Sequence, residues 1–247
     1  MGWDLQQRII MVTGASDGLG RALATALGAE GVSVVALSRS EEGLAATQRE
    51  VESAGGRCLC LPFDLTDFAA YDQLFLALKD HIPHLDGLVH CAAAIDRCTP
   101  LQYVKVEVLR SAIDLHLLAP TLLTKSMYPL LKRAKAASTV FVGCSMSGVD
   151  QPNWHGYGLA KRALPYAAAM WQLEQEGMPM RFNTLDPGRM RTTTFRRAYP
   201  GIVIDTVPPA DDAVPALLAL LADCSRELRG EMLSLDDMAP YIEQVTG

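Results

Sequence analysis

A tyrosine and a lysine four residues apart are the side chains of this sequence best suited to moving a proton. Tyr157 and Lys161 begin and end the segment YGLAK. In a helix, positions i and i+4 share a face, so the two side chains are expected to lie together. A free tyrosine has a pKa near ~10, and a nearby ammonium favours the ionised phenolate. The spacing therefore predicts Tyr157 as a general acid or base towards a carbonyl or alcohol oxygen, with Lys161 lowering its pKa.

A glycine-rich segment near the amino end indicates a nucleotide. Residues 13–20 read TGASDGLG and follow a short apolar run. Glycines let a backbone bend sharply and approach a phosphate, and the helix that follows offers unpaired N–H groups to an anion. The turn is predicted to hold the pyrophosphate of a dinucleotide through Gly14, Ser16, Asp17, Gly18, Leu19 and Gly20. Together with the proton-transfer pair, it indicates hydride exchange between a nicotinamide and a carbon bearing oxygen.

Strand-like and helix-like patterns alternate along the chain and would position these groups. Strands are predicted at 8–12, 32–37, 57–63, 87–91, 138–143, 181–185 and 231–235. Helices are predicted from the glycine turn to Leu27 and at 41–53, 67–79, 106–132, 157–176 and 213–222, the fourth as one helix or a broken pair. Continuous apolar strands suit a parallel sheet that is covered on both faces. We therefore expect one α/β domain over residues 1–247, a doubly wound Rossmann fold with about seven mostly parallel strands and helices on both faces. The irregular stretch at about 189–209 is expected to be a substrate lid.

The order of the motifs resembles that of the short-chain dehydrogenase/reductase family. Thr-Gly-x-x-x-Gly-x-Gly followed roughly 140 residues later by Tyr-x-x-x-Lys is the pattern of that family, and the similarity covers nearly the whole chain. It implies that Lys161 bonds the nicotinamide ribose and that Asp64 bonds the adenine amino group. It also implies cofactor contacts at Leu65, Ala92, Pro187, Gly188 and Thr192. The alternatives are a helix cap for Asp64 and a plain turn for the Pro-Gly pair.

The family's serine, which orients the substrate oxygen, has two alignments here. The family's usual spacing of thirteen residues before the tyrosine selects Cys144. The Ser-x-x-Gly pattern selects Ser145, with Ser147 in reserve. We assign Ser145, because a thiol is a weaker hydrogen-bond donor than a hydroxyl.

Two positions depart from the family pattern. His116 stands where the family has an asparagine that anchors a water beside the lysine, and its ring nitrogens could serve the same relay. A core histidine with a satisfied hydrogen bond is the alternative. After the fourth strand, the family's Asn-Asn-Ala-Gly reads HCAA at residues 90–93. Small residues there still let the backbone approach the cofactor, whereas the amide groups that stabilise the sheet are missing.

The residues after the second strand predict NADP(H) as the cofactor. Ser38 is neutral, and Arg39 could pair with a 2′-phosphate through a charge-assisted contact. Asp17 counts against this assignment, because many NADP-preferring relatives carry a basic residue in the glycine turn. NAD(H) is the alternative.

Composition excludes several classes of protein. The chain has 247 residues, of which 49% are hydrophobic and 20% charged, with a net charge of −6. We expect a soluble cytoplasmic protein with reduced cysteines that binds no nucleic acid, membrane or metal ion. Helices that are apolar beyond one face predict a homodimer or homotetramer. Apolar residues expected to line the substrate space are Met146, Trp154, Met190, Phe195 and Tyr199.

The leading hypothesis from the sequence is an NADP(H)-dependent reductase or dehydrogenase acting on a ketone or a secondary alcohol. Its rival is a cofactor-binding sensor or subunit with little catalysis, which the two departures favour. A third reading is an NAD-dependent alcohol dehydrogenase.

Overall fold

A seven-stranded parallel sheet forms the centre of the molecule. The computed structural model describes residues 2–95, 98–144 and 152–247, and within them the strand order is β3-β2-β1-β4-β5-β6-β7. The strands are β1 (Ile9–Thr13), β2 (Ser33–Ser38), β3 (Arg57–Pro62), β4 (Gly87–His90), β5 (Ser138–Val142), β6 (Arg181–Asp186) and β7 (Met232–Ser234). The order reverses between β1 and β4, and the crevice at the carboxyl ends of such strands is where doubly wound sheets bind ligands.

Helices cover both faces of this sheet. Those in the described ranges are α1 (Gly18–Ala29), α2 (Glu41–Ser53), α3 (Tyr71–Lys79), α4 (Val106–Ile113), α5 (Ala119–Leu131), α6 (His155–Glu174), α7 (Thr193–Ala198), α8 (Val214–Leu221) and α9 (Leu235–Thr246). One apolar core packs α1, α2, α8 and α9 against the sheet, and a second packs α3, α5 and α6 against the other face. In this part of the chain, no helix is long and apolar enough to cross a membrane.

The predicted alternation is confirmed, and the ends of every predicted strand agree with the structure to within one residue. All the observed strand pairings are parallel. The strands were readable because β1, β2, β4, β5 and β6 are buried on both faces, which requires continuous apolar runs.

The predicted long helix is a broken pair. A π-helical turn over Asp114–Leu118 separates α4 from α5. Pro120 has no N–H to donate to the carbonyl four residues earlier, which belongs to His116, so the regular hydrogen-bond ladder cannot continue there. Single π turns inside α-helices are frequent at functional sites, and this one carries His116.

Three helix predictions need correction. The segment predicted as an irregular lid contains α7, which Thr192 caps by accepting a hydrogen bond from Phe195 N. The helix expected from residue 67 begins as a 3₁₀ turn at Phe68–Ala70 and becomes α-helical only at Tyr71. The last helix, α9, was missed, although Ser234 and Asp237 form a capping box at its start.

Candidate active site

The glycine turn after β1 is shaped for close backbone approach. Gly14 has a φ of +65°, and a Cβ placed on it would lie 2.7 Å from Ala92 Cα. A Cβ on Gly20 would collide with the carbonyl oxygen of Gly14. A side chain at Gly14 would therefore push the turn away from the segment after β4, and one at Gly20 would distort the turn itself. The turn borders the main cavity through the residues that the sequence assigns to the pyrophosphate, which are Gly14, Ser16, Asp17, Gly18, Leu19 and Gly20.

Asp17 caps α1 and contacts Thr193 at the start of α7. Its carboxylate accepts a hydrogen bond from Gly18 N at 2.8 Å and another from Thr193 Oγ1 at 2.7 Å. The methyl group of Thr192 lies beside Gly18, where an added Cβ would be 3.1 Å away. The start of α7 thus lies against the glycine turn. No local pattern in the sequence indicates this contact, which joins residues 176 positions apart.

The end of β2 supplies the groups that the sequence assigns to the cofactor's ribose. The hydroxyls of Ser16 and Ser38 lie 2.6 Å apart, which fixes the turn against β2. Arg39 is exposed and borders the same cavity as Ser38.

Asp64 uses its carboxylate locally. It accepts hydrogen bonds from Thr66 N at 2.9 Å and from Thr66 Oγ1 at 2.7 Å. These bonds, with a smaller contribution from the Arg39 guanidinium, hold the pKa of Asp64 below its ordinary value. The side chain stabilises the loop after β3 and does not cap the helix itself. Leu65, beside it, is buried and borders the main cavity.

His90, the last residue of β4, and the small residues that follow it stand where the pattern of the resembled family has amides. His90 stacks on Phe141 with ring centroids 4.8 Å apart, and its Nε2 lies 2.9 Å from Thr124 Oγ1. Because the Thr124 hydroxyl donates to Pro120 O, His90 Nε2 must carry the proton. Burial, and then the charge of Lys161, lowers the pKa of His90 to about 3, so the ring is neutral. Ala92 N donates to Thr13 Oγ1 at 3.2 Å, which holds the segment against the glycine turn.

Tyr157 and Lys161 lie on one face of α6, as predicted. Both are buried and border the main cavity. Lys161 Nζ donates to the carbonyl of Val142, the last residue of β5, at 2.6 Å. The sequence did not reveal this acceptor, although Val142 stands at the end of the predicted fifth strand. Burial lowers the pKa of Lys161 to about 8.

The prediction that the pKa of Tyr157 is lowered is wrong for this arrangement. Burial raises the pKa of Tyr157 above its ordinary value, and nearby acidic groups, Cys144 first, raise it further. Lys161 Nζ lies 5.9 Å from the centroid of the tyrosine ring and bonds the Val142 carbonyl. The loss of solvation is therefore the dominant influence on Tyr157, and it favours the neutral phenol.

His116 contacts Tyr157 from the π turn. The two rings meet edge to face with centroids 4.8 Å apart. His116 Nε2 lies 2.7 Å from the carbonyl oxygen of Ala94, so Nε2 is the donor. Burial, and then Lys161, lowers the pKa of His116 to about 3, which leaves Nδ1 as a bare acceptor, buried without a hydrogen-bond partner. His116, His90 and Lys161 border a second cavity of about 10 Å³, roughly the volume that one water needs.

The serine position is only partly described. Ser145 and the reserve Ser147 lie outside the described residues, so the assignment of Ser145 stays a prediction. The other alignment, Cys144, lies in the described part of the chain and borders the main cavity with Tyr157 and Lys161.

The segment after β6 borders the same cavity. Pro187 is buried, and Gly188 has a φ of +69° with its N–H donating to Asp186 Oδ1 at 3.0 Å. The Pro-Gly pair forms a tight turn, which is what the plain-turn alternative predicts. The pair also borders the cavity, which a contact with the cofactor would require. Thr192 also borders the cavity, where its hydroxyl already accepts from Phe195 N.

Aromatic side chains form the wall next to Tyr157. Trp154 packs against Tyr157 at 5.4 Å and against Tyr199 at 5.7 Å, and Phe195 packs against Tyr199 at 4.8 Å. These residues and Met190 border the cavity, whereas Met146 lies outside the described residues. Among the residues described, no group of three or more histidine, cysteine or acidic side chains could hold a metal ion.

Known proteins share this sequence pattern and this architecture. The short chain dehydrogenase family profile matches residues 8–201. The oxidoreductase YciK of Escherichia coli K12 is 30% identical over 231 residues, which cover 92% of this chain and 90% of YciK. A short chain dehydrogenase structure from Pseudomonas syringae has a TM-score of 0.90 and 32% identity, covering 95% of this chain and 96% of its own. The structure of a short chain dehydrogenase from Escherichia coli CFT073, complexed with NADPH, has a TM-score of 0.87 and 29% identity. The match covers 95% of this chain and 99% of the Escherichia coli chain.

The match of the family profile to most of the chain agrees with the fold and with the tyrosine–lysine pair at the carboxyl ends of the strands. The chain therefore belongs to the short-chain dehydrogenase/reductase family, and it is an oxidoreductase that acts on a CH–OH or C=O group with a nicotinamide cofactor.

Proposed function

We propose that this enzyme uses NADP(H) to transfer hydride between the nicotinamide and a ketone or secondary alcohol. One observation carries the proposal. A single cavity is bordered both by the glycine turn, residues 14–20, and by Tyr157 and Lys161. A dinucleotide whose pyrophosphate lies on the turn can therefore extend towards the proton-transfer pair.

The residues present fit a dinucleotide. A Cβ at Gly14 or Gly20 would collide with neighbouring backbone, so at these two positions the turn has the close packing without side chains that pyrophosphate binding requires. Arg39 would hold the 2′-phosphate of NADP, and Leu65 and Ala92 would contact the bound cofactor from two loops. Asp64 would reach the adenine, while Pro187, Gly188 and Thr192 would hold the nicotinamide. When bound, the nicotinamide supplies or accepts the hydride.

Selection of NADP over NAD rests on Arg39. Its guanidinium is exposed at the cavity and free to pair bidentately with a phosphate. Asp17, the residue that argued for NAD, already accepts hydrogen bonds from Gly18 and Thr193. Its carboxylate therefore serves the glycine turn and the lid. The similar Escherichia coli structure complexed with NADPH supports the same choice.

The proton chemistry favours reduction at neutral pH. A buried neutral Tyr157 holds a proton that it can donate to a carbonyl oxygen as negative charge develops there. The Lys161 ammonium, held at Val142 O, stabilises the phenolate left behind. His116 Nδ1 and the small cavity that His116, His90 and Lys161 border support a water-mediated route for the replacement proton.

The aromatic wall supports an apolar carbonyl compound as the substrate. Trp154, Phe195 and Tyr199 would pack against the substituents of the reacting carbon. Their rings offer flat contact area with little polar surface, which suits an aromatic or alicyclic ketone.

A carbonyl panel tests the proposal. We expect loss of NADPH absorbance with at least one aromatic or alicyclic ketone, and a rate with Tyr157→Phe that is lower by about 10²-fold or more. Equal rates for the two proteins would refute the mechanism. NADPH binding without turnover of any ketone would favour the sensor, a reading supported by the histidines at positions 90 and 116. Turnover with NADH alone would favour the NAD-dependent alternative.

We also propose that the protein acts in the cytoplasm as a homodimer or homotetramer. Helix α6 exposes an apolar stripe in which Tyr166 is 76%, Met170 60% and Leu173 76% exposed. Exposed stripes of this kind mark interaction surfaces, and most soluble oligomers are symmetric assemblies of one chain. Light scattering should give a dimer or tetramer, and Leu173→Glu should shift it towards the monomer. A monomeric wild-type protein would contradict the assembly.

A further inference from the structure

Arg189 borders the active-site cavity from the segment after β6. The backbone on either side of it is held by hydrogen bonds. Gly188 N donates to Asp186 Oδ1 at 3.0 Å. Arg191 N donates to Pro208 O at 2.7 Å. The position at which this arginine meets the cavity is therefore set by the fold.

Arg189 differs from the other arginines of its segment. Four arginines lie in residues 189–197, and Arg189 alone among these four described residues borders the main cavity. Arg191 pairs with Asp205 at 3.1 Å. Arg196 and Arg197 are exposed on α7. Only Arg189 thus adds a positive charge to the wall of the cavity.

The charge of Arg189 has no role in the chemistry described so far. Three basic side chains border the cavity in the described part of the chain. Arg39 is assigned to the 2′-phosphate of the cofactor, and Lys161 donates to Val142 O beside Tyr157. Within residues 2–95, 98–144 and 152–247, no acidic side chain forms a salt bridge with Arg189. Its guanidinium is therefore available to an anion that enters the cavity.

Tyr199 fixes where this guanidinium lies. The central carbon of the Arg189 guanidinium is over the Tyr199 ring, 5.6 Å from its centroid. Burial raises the pKa of Tyr199, and the positive charge of Arg189 opposes that rise, as expected for groups in close contact. Contact with a ring satisfies none of the five N–H donors of a guanidinium. The aromatic wall thus holds a cation whose donors remain unused.

One aromatic side chain connects this cation to the proton-transfer pair. The Trp154 ring contacts the Tyr157 ring at 5.4 Å and the Tyr199 ring at 5.7 Å. Trp154 therefore spans the space between the two tyrosine rings. A substrate with a single ring between its carbonyl and a second polar group would match this span.

We propose that Arg189 binds a negatively charged group of the substrate, so that the ketone reduced by this enzyme carries a carboxylate or a phosphate one ring away from its carbonyl. This assignment rests on the proposed function. The guanidinium would bind two oxygens of the anion, the substrate ring would lie along Trp154, and the carbonyl oxygen would meet Tyr157. Because the anion is remote from the reacting carbon, Arg189 binds ground state and transition state alike, and its contribution appears in KM.

Three ketones that differ only in their para group test the need for a charge. They are 4-acetylbenzoate, 4-acetylphenyl phosphate and the neutral 4-acetylbenzamide, reduced with NADPH by wild type, Arg189→Gln, Arg189→Lys and Arg197→Gln. We expect the wild type to favour one of the anions over the amide by about tenfold or more in kcat/KM, and the preferred anion tells carboxylate from phosphate. Arg189→Gln should abolish this preference, mainly through KM, and Arg189→Lys should keep part of it. Arg197→Gln, which removes an equal charge from exposed α7, should match the wild type.

Several results of this comparison would overturn the proposal. They are a wild type without preference for either anion, an Arg189→Gln variant that loses as much on the amide as on the anion, and an equal loss of preference in Arg197→Gln. A weaker NADPH affinity in Arg189→Gln with the preference for the anion intact would assign the arginine to the cofactor instead.

A binding experiment judges the anion site without turnover. NADP⁺ carries no hydride to donate, so a ketone bound beside it is not reduced. Calorimetry with the NADP⁺ complex should show the dissociation constant of the preferred anionic ketone rising by about tenfold or more in Arg189→Gln and staying unchanged in Arg197→Gln. Equal affinities in wild type and Arg189→Gln, or no binding of either anion to the wild type, would overturn the assignment. Binding that depends on Arg189 in a protein that reduces no ketone would refute the proposed function and support the anion site.

Discussion

The ammonium of Lys161 lies 5.9 Å from the centre of the Tyr157 ring and donates its hydrogen bond to the carbonyl of Val142. The lysine is thus fixed by the end of β5, below the face of the ring. Burial then dominates both groups, raising the pKa of Tyr157 and lowering that of Lys161 to about 8. A neutral phenol beside an ammonium is the protonation state that donates a proton to a carbonyl.

The pKa of Lys161 predicts how reduction depends on pH. With a value of about 8, the lysine is charged below that pH and loses its charge above it. The developing phenolate then loses its cation, so kcat/KM for ketone reduction should fall as the pH rises beyond 8. Initial rates from about pH 6 to pH 10 report this free-enzyme value. A Lys161→Arg variant that still reduces ketones should keep the positive charge at this position, so its kcat/KM should not fall above pH 8. A flat wild-type profile through about pH 9 would contradict the prediction.

Replacing Arg39 by aspartate should exchange the cofactor preference. The carboxylate would repel a 2′-phosphate and accept bonds from the ribose hydroxyls of NAD. We expect the ratio of kcat/KM for NADPH to that for NADH to fall by about 10²-fold or more. Arg49→Asp makes the same charge change on the exposed face of α2 and is the control. If both variants shift the ratio equally, a general change of surface charge, and no specific contact, would explain the preference.

Gly14→Ala should disrupt the cofactor site. The new Cβ would lie 2.7 Å from Ala92 Cα, in a residue whose φ is +65°. The turn and the segment after β4 must then separate, so we expect NADPH affinity to fall by about tenfold or more and unfolding to require less urea. Gly177→Ala is the control, because Gly177 has a φ of +79° and nothing within 4 Å of its added Cβ. It carries the backbone strain without the collision. Equal effects on NADPH affinity in the two variants would show that the collision at Gly14 is unimportant.

Two variants of His116 distinguish a proton relay through this side chain from a purely structural role in the core. Asparagine can donate to Ala94 O and keep a polar atom beside Lys161, whereas leucine can do neither. We expect His116→Asn to keep kcat within about threefold, and His116→Leu to lower kcat by about tenfold or more. Urea unfolding of the same variants reports the structural cost, about 1–3 kcal/mol for the lost bond to Ala94. A His116→Leu protein with reduced stability and unchanged kcat would assign His116 to the core.

The sequence was most informative where local pattern and tertiary structure agree. Apolar runs such as residues 34–37 predict buried parallel strands, and the glycine turn and the YGLAK segment indicate the two ends of the site. The roles of Asp17 and Val142 could not be predicted, because they depend on Thr193 and Lys161, which lie far away along the chain. The pKa of Tyr157 was predicted in the wrong direction for the same reason. Spacing places a cation nearby, but burial is decided by the whole fold.

The fate of the transferred hydrogen tests the central claim most directly. NADPH carrying deuterium at both C4 positions is incubated with the enzyme and a ketone that the enzyme reduces, and the product alcohol is analysed by mass spectrometry and proton NMR. We predict one deuterium on the carbinol carbon with wild-type protein and no more than trace product with Tyr157→Phe. An alcohol whose carbinol hydrogen comes from solvent, or labelled product formed equally well by the two proteins, would contradict the account.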